Sequence, residues 1–371
     1  IEKAMQMYDQ SCTLKGGSGC FNMGMLYYHG LGVSPSLERA IQYFEHACSY
    51  KDFTACNNLG VIYAAGDGVT KSPDKAVFFY KKACDGGAAD GCNNLGYLYY
   101  LGRDISQSFE QSFPLFEKAC KQNYAASCYA LGLSYFNGEG TEKSNKKALS
   151  NFEKACSGDD SDACNTLGIF YANGENVPRS YEQAIFYFEK ACNKKHANGC
   201  LNMGEMYYSG AGVTKSFEKA LELYTMACEY GELETCNKLG SLYYLGTEIP
   251  KSVETAIDYF EKACKGGYGS SCHDLGVFYI NGEGVTQSIE TAIDYFEKAC
   301  RVDDMDACDN LGLLYATGEG VSQSYETAVS YFEKACNAKH AQGCFNMAVR
   351  YYEGRFFFSF SYPPPRPRYS M

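Results

Sequence analysis

Apolar positions in this chain follow a helical spacing that restarts every 36 residues. From Ser36 onward, Ala40, Ile41, Phe44, Ala47 and Cys48 fall at i, i+1, i+4, i+7 and i+8, which is one face of an α-helix. Cys56, Leu59, Gly60 and Tyr63 then fall at i, i+3, i+4 and i+7, one face of a second helix. The spacing places a seven-residue link between Cys48 and Cys56. Ser36 is the expected N-cap of the first helix, its hydroxyl accepting from a first-turn amide. Serine returns in this slot at 72, 108, 144, 180, 216, 252, 288 and 324. Gly66 is the expected left-handed C-cap of the second helix, and glycine fills that slot in all ten units. Each unit therefore predicts an αα-hairpin, and the array predicts an all-α solenoid.

Two slots in the second helix carry packing information. Glycine stands at 24, 60, 96, 132, 168, 204, 240, 276 and 312, with Ala348 last. A glycine inside a helix costs about 1 kcal/mol relative to alanine, so its return predicts close approach of a neighbouring backbone. Tyr63 has a counterpart in every unit, from Tyr27 to Tyr351. Its ring is expected between hairpins, with the hydroxyl at the rim.

The twenty cysteines form ten pairs eight residues apart: Cys12/Cys20, Cys48/Cys56, Cys84/Cys92, Cys120/Cys128, Cys156/Cys164, Cys192/Cys200, Cys228/Cys236, Cys264/Cys272, Cys300/Cys308 and Cys336/Cys344. An even count in local pairs reads as a disulfide framework. Eight residues of continuous helix span about 12 Å, whereas a disulfide needs Cα atoms roughly 4.4–6.8 Å apart. The chain must turn back between the two, tying the end of one helix to the start of the next. Reducing cytosol does not sustain so many bridges, so the expected location is secreted or periplasmic.

The motif Ala-Cys-x-Asn-Leu-Gly-x-x-Tyr-x-x-Gly-x-Gly-Val, as in Ala55 to Val69, is followed by Ser-x-Glu-x-Ala and Phe-Glu-Lys-Ala-Cys. These residues resemble Sel1-like repeats, and the cysteine pairing is similar to that of the Helicobacter cysteine-rich proteins. The resemblance covers residues 1 to about 354. It implies a right-handed α-solenoid of TPR-like hairpins, export from the cell and one disulfide per repeat. It also implies an interaction protein at the host interface, or a penicillin-binding protein with weak β-lactamase activity.

Composition narrows the partners. A net charge of -11 removes any general attraction to nucleic acid or anionic lipid. No apolar run approaches the roughly eighteen residues of a membrane span, so the chain is not expected to be transmembrane. The chain is expected to be monomeric. Ile1 stands in register with Leu37, in mid-repeat, and the sequence reads as a trimmed, exported chain. Residues 1–354 are expected to form the solenoid. Residues 355–371, RFFFSFSYPPPRPRYSM, break the pattern and are expected to be disordered or foreign to the fold. Within the repeats, Pro114 falls inside a first helix and predicts a kink. Asn151 replaces an apolar residue and predicts looser packing.

Candidate chemistry is sparse. S-x-x-K occurs at Ser72–Lys75, Ser144–Lys147 and Ser216–Lys219, but all three coincide with the helix-cap slot. Neither S-D-N nor K-T-G accompanies them, so no catalytic residue is assigned. C-x7-C is too wide for a zinc knuckle, and His196 and His340 read as solvated link residues, so no metal or cofactor is expected. The polar slot two residues after the second cysteine is asparagine six times, at Asn22, Asn58, Asn94, Asn202, Asn310 and Asn346. Two readings stand for this ladder. It grips the backbone of an extended peptide or protein ligand on the concave surface, from a host or the cell wall, or it bridges adjacent hairpins. The preceding slot (Phe21, Asn57, Asn93, Tyr129, Asn165, Leu201, Asn237, His273, Asp309, Phe345) varies as a solvent-facing surface would.

Overall fold

The computed structural model describes residues 2–353, all helices and turns, in two compact units divided at Lys194/Lys195. The first unit holds α1 (Glu2–Thr13), α2 (Gly17–His29), α3 (Leu37–Ser49), α4 (Phe53–Ala65), α5 (Pro73–Asp85), α6 (Ala89–Leu101), α7 (Phe109–Lys121), α8 (Ala125–Asn137), α9 (Asn145–Ser157), α10 (Ser161–Asn173) and α11 (Tyr181–Asn193). The second holds α12 (Ala197–Ser209), α13 (Phe217–Glu229), α14 (Leu233–Leu245), α15 (Val253–Lys265), α16 (Gly269–Asn281), α17 (Ile289–Arg301), α18 (Met305–Thr317), α19 (Tyr325–Asn337) and α20 (Ala341–Glu353). The Gly354 cap and the tail 355–371 lie outside the described residues.

The caps explain the helix ends. Each of the nine serines accepts from the amide three residues on, as Ser36 Oγ does from Arg39 N at 3.4 Å. Glycines 30, 66, 102, 138, 174, 210, 246, 282 and 318 close the second helices with φ between 62° and 81°. That left-handed conformation is one an L side chain adopts only at a cost.

The link within each hairpin is three residues, not seven. α3 ends at Ser49 and α4 begins at Phe53, a turn before Cys56. The apolar pattern read from Cys56 onward starts a turn late; the earlier start is marked by a cap, Asp52 Oδ1 accepting from Ala55 N at 3.0 Å, with Ala55 buried beside it. His196 and His340 are caps of the same kind, not solvated link residues. His196 Nδ1 accepts from Gly199 N at 3.0 Å, and His340 Nδ1 accepts from Gly343 N at 3.2 Å while its Nε2 meets Asp306 Oδ1 at 2.8 Å. The middle link residue is left-handed throughout, for example Lys51 at φ 67° and Gly87 at φ 95°.

The core lies mainly between hairpins, where each second helix packs on the next first helix within its unit. The helical glycines face first a ring there, with the neighbouring backbone also close at Gly24, whose Cβ would stand 3.2 Å from Ala40 O, and at Gly204, 3.4 Å from Ala220 O. A Cβ on Gly60 would stand 2.4 Å from Tyr80 Cδ1, and one on Gly96 2.6 Å from Phe116 Cε1. Phe44, Tyr80, Phe116, Phe152, Phe188, Tyr224, Phe260, Phe296 and Phe332 fill this slot and are all buried. The tyrosine slot behaves as expected, Tyr63 stacking on Phe79 with centroids 5.7 Å apart and planes 4° apart. The kink at Pro114 is not found: α7 runs unbroken over the same 13 residues as its sister helices. Pro114 removes a single bond in the second turn, and the capped, stapled helix tolerates the loss. Asn151 folds back, Nδ2 donating to Lys147 O at 2.8 Å.

Candidate binding face on the second helices

Disulfides fix the hairpins on which any site must stand. Cys12–Cys20, Cys48–Cys56, Cys84–Cys92, Cys120–Cys128, Cys156–Cys164, Cys228–Cys236, Cys264–Cys272, Cys300–Cys308 and Cys336–Cys344 are bridged with Cα atoms 4.4–4.9 Å apart. Cys192 and Cys200 are likewise disulfide-bonded. A lysine two residues before the first cysteine links hairpins laterally. Lys118, Lys154 and Lys190 donate to the carbonyls of Cys84, Cys120 and Cys156 at 2.7, 2.6 and 2.7 Å, and Lys334 donates to that of Cys300. Each cation sits at a helix C-terminus, where the dipole favours it. Sequence reasoning missed this contact, although the repeated Phe-Glu-Lys-Ala-Cys was its signal.

The S-x-x-K residues are structural. Ser72, Ser144 and Ser216 Oγ accept from the amides of Lys75, Lys147 and Lys219 at 3.4, 3.5 and 3.3 Å. The ammonium groups lie over Tyr63, Tyr135 and Tyr207, 4.6, 5.0 and 5.1 Å from the ring centroids. Each lysine is held by an aromatic face, a cation–π contact.

The asparagine ladder divides. Asn94 Nδ2 donates to Asn57 Oδ1 at 2.9 Å, Asn310 Nδ2 lies 3.0 Å from His273 Nε2, and Asn346 Nδ2 donates to both Asp309 oxygens at 2.8 and 2.9 Å. Thr166, in the same slot, meets the Tyr129 hydroxyl at 3.3 Å. These residues bridge hairpins. The slot before them is therefore not uniformly solvent-facing: Asn57, Asn93, His273 and Asp309 are buried because each faces the next hairpin. Burial raises the Asp309 carboxyl above its ordinary value, against the hydrogen bond from Asn346. Asn22 and Asn202 are half-buried on α2 and α12.

Asn58 differs. Its slot partner one repeat back would be Phe21, which has no polar side-chain atom. Its Nδ2 instead lies 3.9 Å from the Met25 sulfur, a weak acceptor. Asn58 lines a cleft of about 150 Å³ with Met25, Tyr28, Phe44, Val61 and Ile62, all within the first unit. The Tyr28 hydroxyl at its edge donates to Asp67 Oδ2 at 3.0 Å, a bond that raises the phenol's pKa. In the second unit the same slot holds Lys238, whose Nζ pairs with Glu205 Oε1 at 2.5 Å, an oxygen that also accepts from Tyr224 OH at 2.9 Å.

Comparison with protein families decides what the array is. The Sel1 repeat model matches nine times, at residues 17–49, 54–87, 89–124, 125–160, 161–196, 197–231, 233–268, 269–304 and 306–340. The chain belongs to the Sel1 repeat family. Sel1 repeats mediate protein–protein interaction, so the chain is a Sel1 repeat scaffold. Among solved structures it is similar to c5321, a protective antigen present in uropathogenic Escherichia coli strains, with 26% identity and a TM-score of 0.65 over 94% of this chain and 75% of that one. It is similar to a Sel1 repeat protein from Oxalobacter formigenes, with 23% identity and a TM-score of 0.63 over 84% and 90%. It is also similar to Helicobacter pylori cysteine rich protein B, with 30% identity and a TM-score of 0.30 over 35% of this chain and 94% of that one. No curated protein matches the chain. Among the described residues no helix is long and apolar enough to cross a membrane, and no cluster of metal-ligating side chains occurs. The Sel1 second helices thus supply both the hairpin-bridging amides and the open cleft at Asn58.

Proposed function

We propose that this Sel1 chain is an exported scaffold that holds an extended peptide or protein ligand on its second helices, at an interface with a host or with cell-wall peptides. The observation that carries the reading is the outward face of α2, α4 and α6. Tyr28, Val61 and Leu101 are 40%, 44% and 47% exposed there, on helices whose backbones are pinned by disulfides. Rigid apolar side chains already open to water lose little freedom when a partner covers them. The disulfides support export, since such bridges persist in oxidising compartments. On this reading Asn22 and Asn58 are the ladder residues left to a ligand in the first unit. Asn94, Asn310 and Asn346 hold the hairpins that present them.

Hydrolysis of penicillin-type β-lactams, the second function implied by the resemblance, gains no supporting observation. The three serines of S-x-x-K are helix caps and their lysines lie on tyrosine rings.

Panning a random dodecapeptide display library on the immobilised, oxidised chain tests the scaffold reading. Enrichment of peptides that bind the oxidised chain, and lose binding when it is reduced, is expected. Absence of enrichment over an uncoated support contradicts the reading.

A further inference from the structure

We propose that the cleft between α2 and α4 is a side-chain pocket for an extended peptide carrying a leucine or methionine next to a lysine or arginine. The inference deepens, and rests on, the peptide-binding reading of the second helices.

Size selects the occupant. Pockets for whole small molecules run from about 300 to 1,000 Å³. This cleft is about 150 Å³. An apolar cavity near that size takes up one benzene-sized molecule. It therefore has room for one side chain. Its lining, Met25, Phe44, Val61 and Ile62, is apolar, and the Met25 thioether adapts to the shape of what enters.

Polar groups at the edge select the rest. Phe21 stands where sister repeats place a hydrogen-bonding partner, so the Asn58 carboxamide keeps one donor on a thioether 3.9 Å away. A carboxamide offers both a donor and an acceptor, the pair that one peptide unit of an extended chain requires. Beyond Tyr28 lies the Asp67 carboxylate, which accepts the phenol hydrogen at 3.0 Å. One loop on, the same slot holds Arg103, and the carboxylate beside it, Asp104, is already paired, 2.6 Å from Lys71 Nζ. Among the described residues no lysine or arginine pairs with Asp67, so a cation beside the anchoring side chain has a waiting counter-charge. The net charge of -11 adds to that attraction at long range.

The test measures fluorescence anisotropy of labelled, end-capped Gly/Ser nonapeptides bearing a central Leu-Lys or Lys-Leu, titrated with the oxidised full chain. Replacing leucine by alanine is expected to weaken binding at least tenfold, as loss of a pocket-filling side chain does. Replacing lysine by glutamate is expected to weaken it further, with the lysine preference fading in 1 M salt. In the protein, Val61→Glu and Asn58→Ala are each expected to weaken the leucine peptides, whereas Asp67→Asn removes only the preference for lysine over glutamine. Val61 is exposed, so that variant reports on the pocket with the fold intact. Equal binding of leucine and alanine peptides, or unchanged binding by Val61→Glu, overturns the proposal. Library peptides that bind the chain yet ignore Val61→Glu and Asn58→Ala would sink the pocket and keep the scaffold. A library without enrichment would sink both.

Discussion

At the scale of the residue, the second helices work by pairs 37 positions apart: Asn57 with Asn94, Tyr129 with Thr166, His273 with Asn310 and Asp309 with Asn346. Asp309 is the costly member, 5% exposed with its carboxyl pKa raised by burial. A carboxyl raised on folding contributes stability below its unfolded value that is lost as pH climbs through its folded value. Asp309→Asn reproduces the Asn57–Asn94 pair, so it is expected to raise Tm by a few degrees at pH 7. The gain should shrink as pH falls through the carboxylate range, and thermal melts across pH check it. Gly60→Ala tests the ring slot. Alanine gains about 1 kcal/mol of helix propensity, but its Cβ meets Tyr80 at 2.4 Å in a packed interface. A net loss of about 1 kcal/mol or more is expected in denaturant titrations. The pairs were hidden in the sequence because variation at one slot looks like exposure until its partner in the next repeat is known. Asn58 stands out only once Phe21 is seen as the missing partner.

Helices and turns were more legible. Serine caps and apolar spacing located the first helices from α3 onward, and glycine C-caps the ends of the second helices, because those signals act within a turn of the residues that carry them. The second helices start earlier than apolar spacing suggests, since their first turn is fixed by caps such as Asp52 and His196 and buries only small residues such as Ala55 and Ala163, which give a weak apolar signal. Pro114 misled for the opposite reason: a local penalty was visible, but the packing that absorbs it was not. Because α7 keeps its path, Pro114→Ala restores a donor to the Glu110 carbonyl without rearrangement. It is expected to stabilise the chain by about 1–3 kcal/mol, read from the urea midpoint. Lys51, left-handed at φ 67°, holds a slot where Gly87, Gly231 and Gly267 stand in sister links. Lys51→Gly is expected to stabilise by up to about 1 kcal/mol, measured the same way.

For the whole molecule, covalent cross-links do what a large core does elsewhere. Each closes a loop of eight residues, for which the chain-entropy model gives about 2.5 kcal/mol. Thirteen-residue helices are marginal on their own, so a hairpin holds its shape through its bridge and its neighbours. Reduction under native conditions is expected to lower Tm sharply and to abolish peptide binding together with helicity, followed by circular dichroism. The fold was legible in the cysteine spacing for this reason: a pair eight apart admits one local geometry. The binding face was less so, because exposure depends on which helix the next hairpin covers. The most direct measurement is a peptide map of the unreduced protein by mass spectrometry. Ten bridges, each joining cysteines eight positions apart, are predicted; free thiols, or links between different repeats, would contradict the account.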